Sequence, residues 1–535
     1  MTGLFGIVSA ADCGKTLMFG TDYHSHLGTQ QGGIATRRDD GIMDRRLHKI
    51  SQNSFKSKFY NDSEKMRGRR GIGAISDKDT QPLLKVHSNE TYAIVTSGMV
   101  TNLEQLADEI CSRKGKGRGD VFFRNNSDGS LSMTEVVAEL INLEPTFLEG
   151  IQRMYDRVEG SCSVLLLNGD GIYAARDLHG RTSLVLGRDD KGVAVTSETC
   201  AFPNLGFRVE KFLKPGEVVL MGDDGVRTLR DGDDDQMQIC SFLYIYTSDP
   251  STSHEGVNVQ EVRQRCGSLL AESDVGLKVD IVSGVPDSGI NHSHGYLNKR
   301  VKLAMRMLWE AQQGSFLDFV MANQELLRSG DFSREQVASL LEKMDVSAML
   351  DANRPPFYAD PLIKYRAAYG RSYTPPDQRQ RDEVAWNKLI PVGHILADGW
   401  DDVARTSLRG RSILLTDDSI VRNTQLRNSI RKLWDYGAGD IHVRVACPPL
   451  TSPCRYLRST RTTAELAASR AIEEIEGKAL EDIGEYLDPS SAKYAQMVGI
   501  IKRDLDVTTL RYLTLDQTVR AIGLPREKLC VDCWK

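Results

Sequence analysis

The sequence predicts two mixed α/β units in tandem, an α+β unit of stacked sheets followed by an α/β unit with a parallel sheet. Three observations carry that prediction. Up to about Thr228, short apolar strand patterns alternate with Gly, Asp and Asn turn signals. From about Val259 onward, helical patterns alternate with apolar strands, which is the grammar of a doubly wound parallel sheet. Between them, Asp231–Asp235 in RDGDDDQ is an acidic polar stretch suited to a boundary.

In chain order, the first unit is expected to hold strands at Tyr92–Thr96, Cys162–Leu167, Gly171–Ala175, Ser183–Gly187 and Glu217–Met221. Two helices are expected there, Asn102–Cys111 and Met133–Leu143, the first with Thr101 or Asn102 as its cap. Helices on the outer faces of stacked sheets satisfy this alternation. The second unit reads as a helix at Val259–Ala271 and strands at Val279–Val285, Ile413–Thr416 and Ile441–Ala446. Lys299–Pro355 carries helical spacing at Val301–Gln313, Phe316–Arg328 and Arg334–Met344. There is no internal repeat, and the basic patch Arg113–Arg118 reads as a solvated loop.

Bulk properties narrow the function classes. A chain of 535 residues, 40% hydrophobic and 26% charged, has ample apolar material for more than one core. A net charge of −5 and a pI near 6.1 argue against nucleic acid or an anionic membrane as partner. The opening MTGLFGIVSAADCGK lacks a basic region followed by a signal-length apolar block, and no run is long enough to span a bilayer. A cytoplasmic location is therefore expected. Ten scattered cysteines then suggest reduced thiols or metal ligands rather than a disulfide framework.

The most informative stretch is Ser412–Gln425, SILLTDDSIVRNTQ. An apolar strand ends in Asp417-Asp418, a short polar loop follows, and a helical pattern begins with Leu426, Ile430 and Leu433. Loop N–H groups and the positive helix end suit a phosphate, and the carboxylates suit ribose hydroxyls or hydrated magnesium. Taken alone, an Asp-Asp pair at a strand end is more often a solvated turn.

The whole string resembles the phosphoribosyl pyrophosphate (PRPP) signature of type I phosphoribosyltransferases, and most closely that of the amidophosphoribosyltransferases. The resemblance runs nearly end to end. GVPDSGI (Gly284–Ile290) is similar to that family's pyrophosphate loop, and PLIKYRAAYGRSYTPPDQRQR (Pro361–Arg381) to its flexible catalytic loop. RDLHGRTSLVLGR, SETCAF and KPGEVVLM resemble its glutaminase domain, an αββα sandwich of the N-terminal-nucleophile class. The resemblance implies residues 1–230 as a glutamine amidotransferase-like domain and 231–535 as a phosphoribosyltransferase domain with a helical insertion at about 300–355. It further implies that Asp287, Ser288 and Gly289 meet pyrophosphate, that Asp417 and Asp418 grip the ribose diol or Mg2+, and that Ser419, Arg422, Asn423 and Thr424 nest the 5′-phosphate. Lys364, Arg366 and Arg371 would close over the pyrophosphate and exclude water.

Departures accompany the match. Asn423-Thr424-Gln425 stands where the family has Gly-Thr-Thr; Asn tolerates positive φ, and Gln425 forfeits a hydroxyl. The flexible loop has one extra residue near Ala367–Tyr369 and lacks an arginine expected near Ala385. In the first half the losses are larger. The family's Met-Cys-Gly start is Met1-Thr2-Gly3, its His-Val-Arg-Tyr is Ala74-Ile75-Ser76-Asp77, its Asn-Gly oxyanion pair is Ser97-Gly98, an aspartate falls at Met133, and its His-Arg-Gly is His26-Leu27-Gly28. A terminal Thr2 could act as nucleophile, but losing the carboxylate partner and an oxyanion donor, the latter alone about 10²–10³ in rate, removes the machinery around it. Loss of glutaminase chemistry is expected.

C-x-x-C at Cys530–Cys533 is weak by itself. The resemblance supplies Cys240 and Cys454 as two further ligands, which implies a structural 4Fe–4S cluster, with zinc as the alternative for four thiolates. Cys13, Cys111, Cys162, Cys200, Cys266 and Cys447 read as ordinary buried thiols. The leading expectation is an amidophosphoribosyltransferase-like enzyme that forms 5-phosphoribosylamine with ammonia or a partner-delivered amine, Mg-PRPP dependent and homo-oligomeric by resemblance. The alternatives are a non-catalytic PRPP or nucleotide sensor that regulates or scaffolds a partner, and transfer to a purine or pyrimidine base.

Overall fold

The computed structural model describes residues 2–51, 53–121, 123–126, 129–322, 357–358, 363–365, 389–391, 408–457, 460, 462–480 and 482–535. The first half contains, in chain order, β1 (Thr2–Ser9), α1 (Gly14–Asp22), β2 (Gln31–Arg37), β3 (Met43–Lys49), α2 (Phe55–Lys65), β4 (Arg70–Ser76), β5 (Leu83–His87) and β6 (Glu90–Val100). It continues with α3 (Leu103–Arg113), α4 (Met133–Ile141), α5 (Phe147–Arg157), β7 (Gly160–Leu167), β8 (Ile172–Ala175), β9 (Val185–Arg188), β10 (Gly192–Thr196), β11 (Arg208–Phe212), β12 (Val218–Gly222) and β13 (Gly225–Arg230). One sheet has the order β11-β9-β10-β1-β4-β2-β3 and the other β13-β12-β8-β7-β6-β5.

Strand alternation builds the layers. On β1, Leu4 and Val8 enter the core between the sheets, while Phe5 and Ile7 point to the opposite face, against Leu17 of α1 and Phe55 and Phe59 of α2. The second sheet turns Tyr92, Ile94 and Val164 to a third core shared with Val137 and Ile141 of α4 and Ile151 of α5. The result is the αββα sandwich expected from the resemblance.

Sequence patterning reveals α3 and α4 but misses α1, α2 and α5. Glycines at 14 and 20 dilute the buried stripe of α1, and α2 is polar apart from Phe55 and Phe59. Helix α5 opens with a reciprocal capping box between Thr146 and Glu149, a legible signal passed over. Asn102 does precede α3, yet its side chain does not cap it: the amide donates to the Arg157 carbonyl (2.9 Å) and accepts from the Glu159 N–H (3.1 Å).

The second half contains β14 (Ile239–Cys240), α6 (Val259–Glu272), β15 (Ile281–Gly284), α7 (Gly289–Ala322), β16 (Phe357–Tyr358), β17 (Ser412–Asp417), α8 (Thr424–Asp435) and β18 (Asp440–Val445). After these come α9 (Ala467–Glu476), α10 (Ala492–Leu505), β19 (Thr509–Tyr512), α11 (Leu515–Ile522) and β20 (Leu529–Cys530). Strands β16-β15-β17-β18-β19 form one sheet, every pair parallel. Ile413, Leu414 and Leu415 are all fully buried, as expected of a strand covered on both faces. The expected break between Val301–Gln313 and Phe316–Arg328 is not found: α7 runs unbroken from Gly289 through Gly314 to Ala322, since an interior glycine costs a helix only ~1 kcal/mol. Arg334–Met344 lies outside the described residues. No helix among the described residues is long and apolar enough to cross a membrane.

The two halves meet around Arg176. This fully buried side chain donates to the carbonyls of Thr182 (2.9 Å), Gly180 (3.0 Å) and Leu213 and to Glu255 Oε1 (2.8 Å). Nearby, the His179 and Arg181 carbonyls accept from the Gln238 and Cys240 N–H groups, and β14 pairs in parallel with β20. Arg176→Met removes the counter-charge of Glu255, leaving it with the Ser183 hydroxyl, and strands three carbonyls, so it is expected to lower stability by about 3–5 kcal/mol in denaturant titration.

Candidate active site

The carboxyl ends of β15, β17 and β18 lie side by side, with Gly284 opposite Thr416 and Asp417 opposite Val445. This is where open parallel sheets offer a crevice to ligands. The loop after β15 is drawn down onto β17: Val285 N–H donates to the Thr416 carbonyl (2.9 Å), and Thr416 Oγ1 donates to the Gly289 carbonyl (2.9 Å). A Cβ on Gly284 would lie 2.5 Å from the Gly289 carbonyl carbon, and one on Gly289 would lie 2.5 Å from the Thr416 oxygen. Only glycine permits this approach.

That approach sets Ser288 against the acidic pair. Ser288 Oγ donates to Asp418 Oδ2, Ser419 Oγ donates to Asp418 Oδ1 (2.6 Å), and the Asp418 N–H donates to Asp417 Oδ1 (2.9 Å). Both carboxyl groups are buried. Burial pushes the Asp417 carboxyl well above the usual carboxylate range, and the neighbouring Asp418 adds to the shift. Burial also raises Asp418, while the hydroxyls of Ser288 and Ser419 and the charge of Arg263 pull it back. Two hard-oxygen groups side by side are a donor set that suits a divalent cation or a sugar diol.

Arg263 escapes notice in the sequence. It sits on α6 among Val259, Val262 and Cys266, is fully buried, and donates to the carbonyls of Tyr244 (3.1 Å), Tyr246 (2.9 Å) and Ser248 (2.7 Å). The signal was an arginine on an otherwise apolar helix face.

Beyond Ser419 the loop turns into α8 through Asn423, whose φ of +68° is the left-handed conformation expected for this position. The Asn423 carbonyl closes the first helical turn with the Arg427 N–H (2.9 Å), and its side-chain Oδ1 is buried without a hydrogen-bond partner. Arg422 forms an ion pair with Glu465 (2.7 Å), and its carbonyl accepts from Arg470 (3.0 Å). Thr424 is the first residue of α8, at its positive end. Lys364 lies in the short strand Ile363–Tyr365, opposite Ile390. Arg366 and Arg371 lie outside the described residues.

In the first half, Thr2, Ser76 and Ser97 come together at the end of β1. Thr2 Oγ1 donates to Ser76 Oγ (3.2 Å), and Ser97 Oγ donates to the Thr2 carbonyl (2.7 Å). Gly98 holds a φ of +134°. Beside this hydroxyl cluster Asp77 accepts from the Thr29 N–H (2.9 Å). His26 is paired with Glu198 (2.9 Å). Met133 opens α4 and packs into the helix-layer core. The carboxylate bound at that helix start is Asp79, which accepts from the Thr134 N–H (2.7 Å) and Oγ1 (2.8 Å).

Cys240, Cys454, Cys530 and Cys533 line one small cavity together with Phe242, Tyr456 and Trp534. Among the described residues, no three His, Cys, Asp or Glu side chains converge closely enough to hold a metal ion. A hydrogen bond with Cys454 and burial both push the Cys533 thiol up, and burial does the same to Cys240.

With this geometry in view, a glutamine amidotransferase domain model matches residues 69–204. The chain is 26% identical to the amidophosphoribosyltransferase of Methanocaldococcus jannaschii, covering 100% of this chain and 96% of the relative. It is also 26% identical to that of Bacillus subtilis, covering 88% and 85%. The solved structure of the B. subtilis glutamine PRPP amidotransferase, complexed with ADP and GMP, superposes with a TM-score of 0.72 at 23% identity, covering 100% of this chain and 96% of that one. A second structure, described as the allosteric regulatory enzyme of purine biosynthesis, gives 0.73 at 23% identity, covering 100% and 95%. The fold is thus a glutamine amidotransferase-type domain followed by a phosphoribosyltransferase-type domain.

The raised Asp417 carboxyl fixes the sign of a pH effect. Its contribution to stability is complete below the ordinary value of 3.8 and is lost as pH rises through the raised value. Asp417→Asn should therefore raise the melting temperature of metal-free protein near neutrality, with the gain over wild type shrinking toward pH 4. Thermal melts across pH check this.

Proposed function

We propose that this chain, a full-length relative of the amidophosphoribosyltransferases, transfers the phosphoribosyl group of PRPP to ammonia, or to an amine delivered by another protein, giving 5-phosphoribosylamine and pyrophosphate. Nitrogen forms the new bond to C1, the bond from C1 to the pyrophosphate oxygen breaks, and the proton shed by nitrogen passes to solvent. The observation that carries this reading is the buried Asp417–Asp418 pair with the Ser288–Gly289 loop packed onto it.

In this reading residues 231–535 carry the transfer, and residues 1–230 keep the amidotransferase-type fold without its chemistry. Asp417 and Asp418 would hold magnesium or the ribose diol. Magnesium, when bound, supplies charge neutralisation of the leaving pyrophosphate. Ser288 and the loop through Gly289 orient the pyrophosphate; Ser419, Asn423 and Thr424 with the α8 N-terminus take the 5′-phosphate; Arg422 joins them on leaving Glu465. Lys364, Arg366 and Arg371 close over the pyrophosphate and keep water from the oxocarbenium-like centre. The Arg422–Glu465 pair favours a second reading, a PRPP sensor without turnover. A homo-oligomer in the cytoplasm fits the kinship.

Ammonium-dependent pyrophosphate release from PRPP, with glutamine-dependent release lower by at least ~10², is the expected result. PRPP binding without release would favour the sensor, and efficient glutamine use would overturn the account of the first half. Thr2→Cys should not restore glutamine use, because Ser76 and Asp77 still lack the cation that holds the glutamine carboxylate.

The four cysteines that line one cavity supply the donor set of a structural four-thiolate centre, a 4Fe–4S cluster or, with the side chains drawn closer, zinc. Support comes from a buried guanidinium beside the cavity, that of Arg181, whose Nε and Nη1 have no hydrogen-bond partner. Anaerobic reconstitution with iron and sulfide should give about four iron per chain, with Cys454→Ser falling well below that value; iron-free wild type would reject the cluster.

A further inference from the structure

Arg181 is a first-half residue whose guanidinium is only partly satisfied within the protein. It is 4% exposed, and both Nε and Nη1 are buried without an acceptor. A guanidinium is always charged and presents a rigid fork of donors, so leaving two of them dry is costly. Its neighbours are those of the cysteine cavity. The guanidinium carbon lies 3.7 Å from the ring centroid of Tyr456, which lines the cavity two residues from Cys454. Its charge acts on Cys530 and Asp532, and its carbonyl accepts the Cys240 N–H (3.0 Å). The backbone is fixed from the other side, where the Arg181 N–H donates to buried Asp177 (2.9 Å). Neutral thiols are weak acceptors and carry no charge to balance a cation. A centre bound by four thiolates has both sulfur acceptors and net negative charge.

We infer that Arg181 is the positioning residue for an anionic four-thiolate centre in the Cys240, Cys454, Cys530 and Cys533 cavity, its unsatisfied guanidinium supplying charge balance and hydrogen bonds from the first half of the chain. This rests on the cluster reading above and adds to it that filling the cavity ties the two halves together through one side chain. The stack on Tyr456 holds the cation beside the cavity.

The test uses the full chain, reconstituted anaerobically with equal ferric and ferrous iron and sulfide, as wild type, Arg181→Met and Arg181→Lys. Iron per chain, midpoint potential under dithionite titration, and melting of iron-free and loaded forms are measured. In the titration one electron from dithionite enters the centre, no bond breaks, and the added negative charge is what the guanidinium stabilises. Arg181→Met is expected to make reduction at least tenfold less favourable, a fall of about 59 mV for one electron, or to lose iron while its iron-free form melts with wild type. Arg181→Lys should recover part of the potential. Loaded wild type and Arg181→Met with the same potential and iron content would overturn the role of Arg181 alone, as would equal loss of melting temperature in iron-free and loaded forms. A wild type that takes up no iron would overturn the cluster reading and this inference together.

Discussion

Two carboxyl groups side by side in a dry crevice are the constraint around which the upper end of the parallel sheet is arranged. Asp417 and Asp418 terminate β17 where neither can ionise freely. Everything nearby responds to that. Ser288 and Ser419 donate to Asp418, the buried Arg263 lies behind the pair, and the chain before α7 is glycine at both points where it must come close enough to deliver Ser288. A cation or polar ligand would meet both carboxyl groups at once and relieve their crowding.

The same physics read in reverse describes the end of β1. There the groups are small hydroxyls that satisfy one another, Thr2 with Ser76 and Ser97 with the Thr2 carbonyl. The nearby carboxylate of Asp77 is already engaged by Thr29. One crevice has kept its electrostatic tension while the other has relaxed into packing, although both sit on folds that persist in full.

The sequence made the tense site legible because its parts are local. An apolar run ending in two acids, then small polar residues and a helix, can be read within fourteen positions, and Asn423, standing where the family it resembles has glycine, is a residue that tolerates positive φ. The parallel strands were equally clear, since burial on both faces leaves continuous aliphatic runs. What escaped was set by distant contacts. Helix α1 hides behind its glycines, and α7 continues through Gly314 because one weak position is outvoted by its neighbours. Arg263 and Arg181 look like ordinary surface cations until the chain brings a carboxyl pair or a cysteine cavity beside them.

The pairing of β14 with β20 joins positions far apart in the sequence: Ser241 Oγ donates to the Cys530 carbonyl across 289 residues. Contacts of that span are late events in folding, because the entropy of closing the intervening loop must be overcome first. On the ribosome the αββα sandwich can be complete, with the loop of Arg176 and Arg181 already formed, long before residue 530 has been made. The cysteine cavity can therefore close only after residue 530 has been made, when all the segments that line it are available.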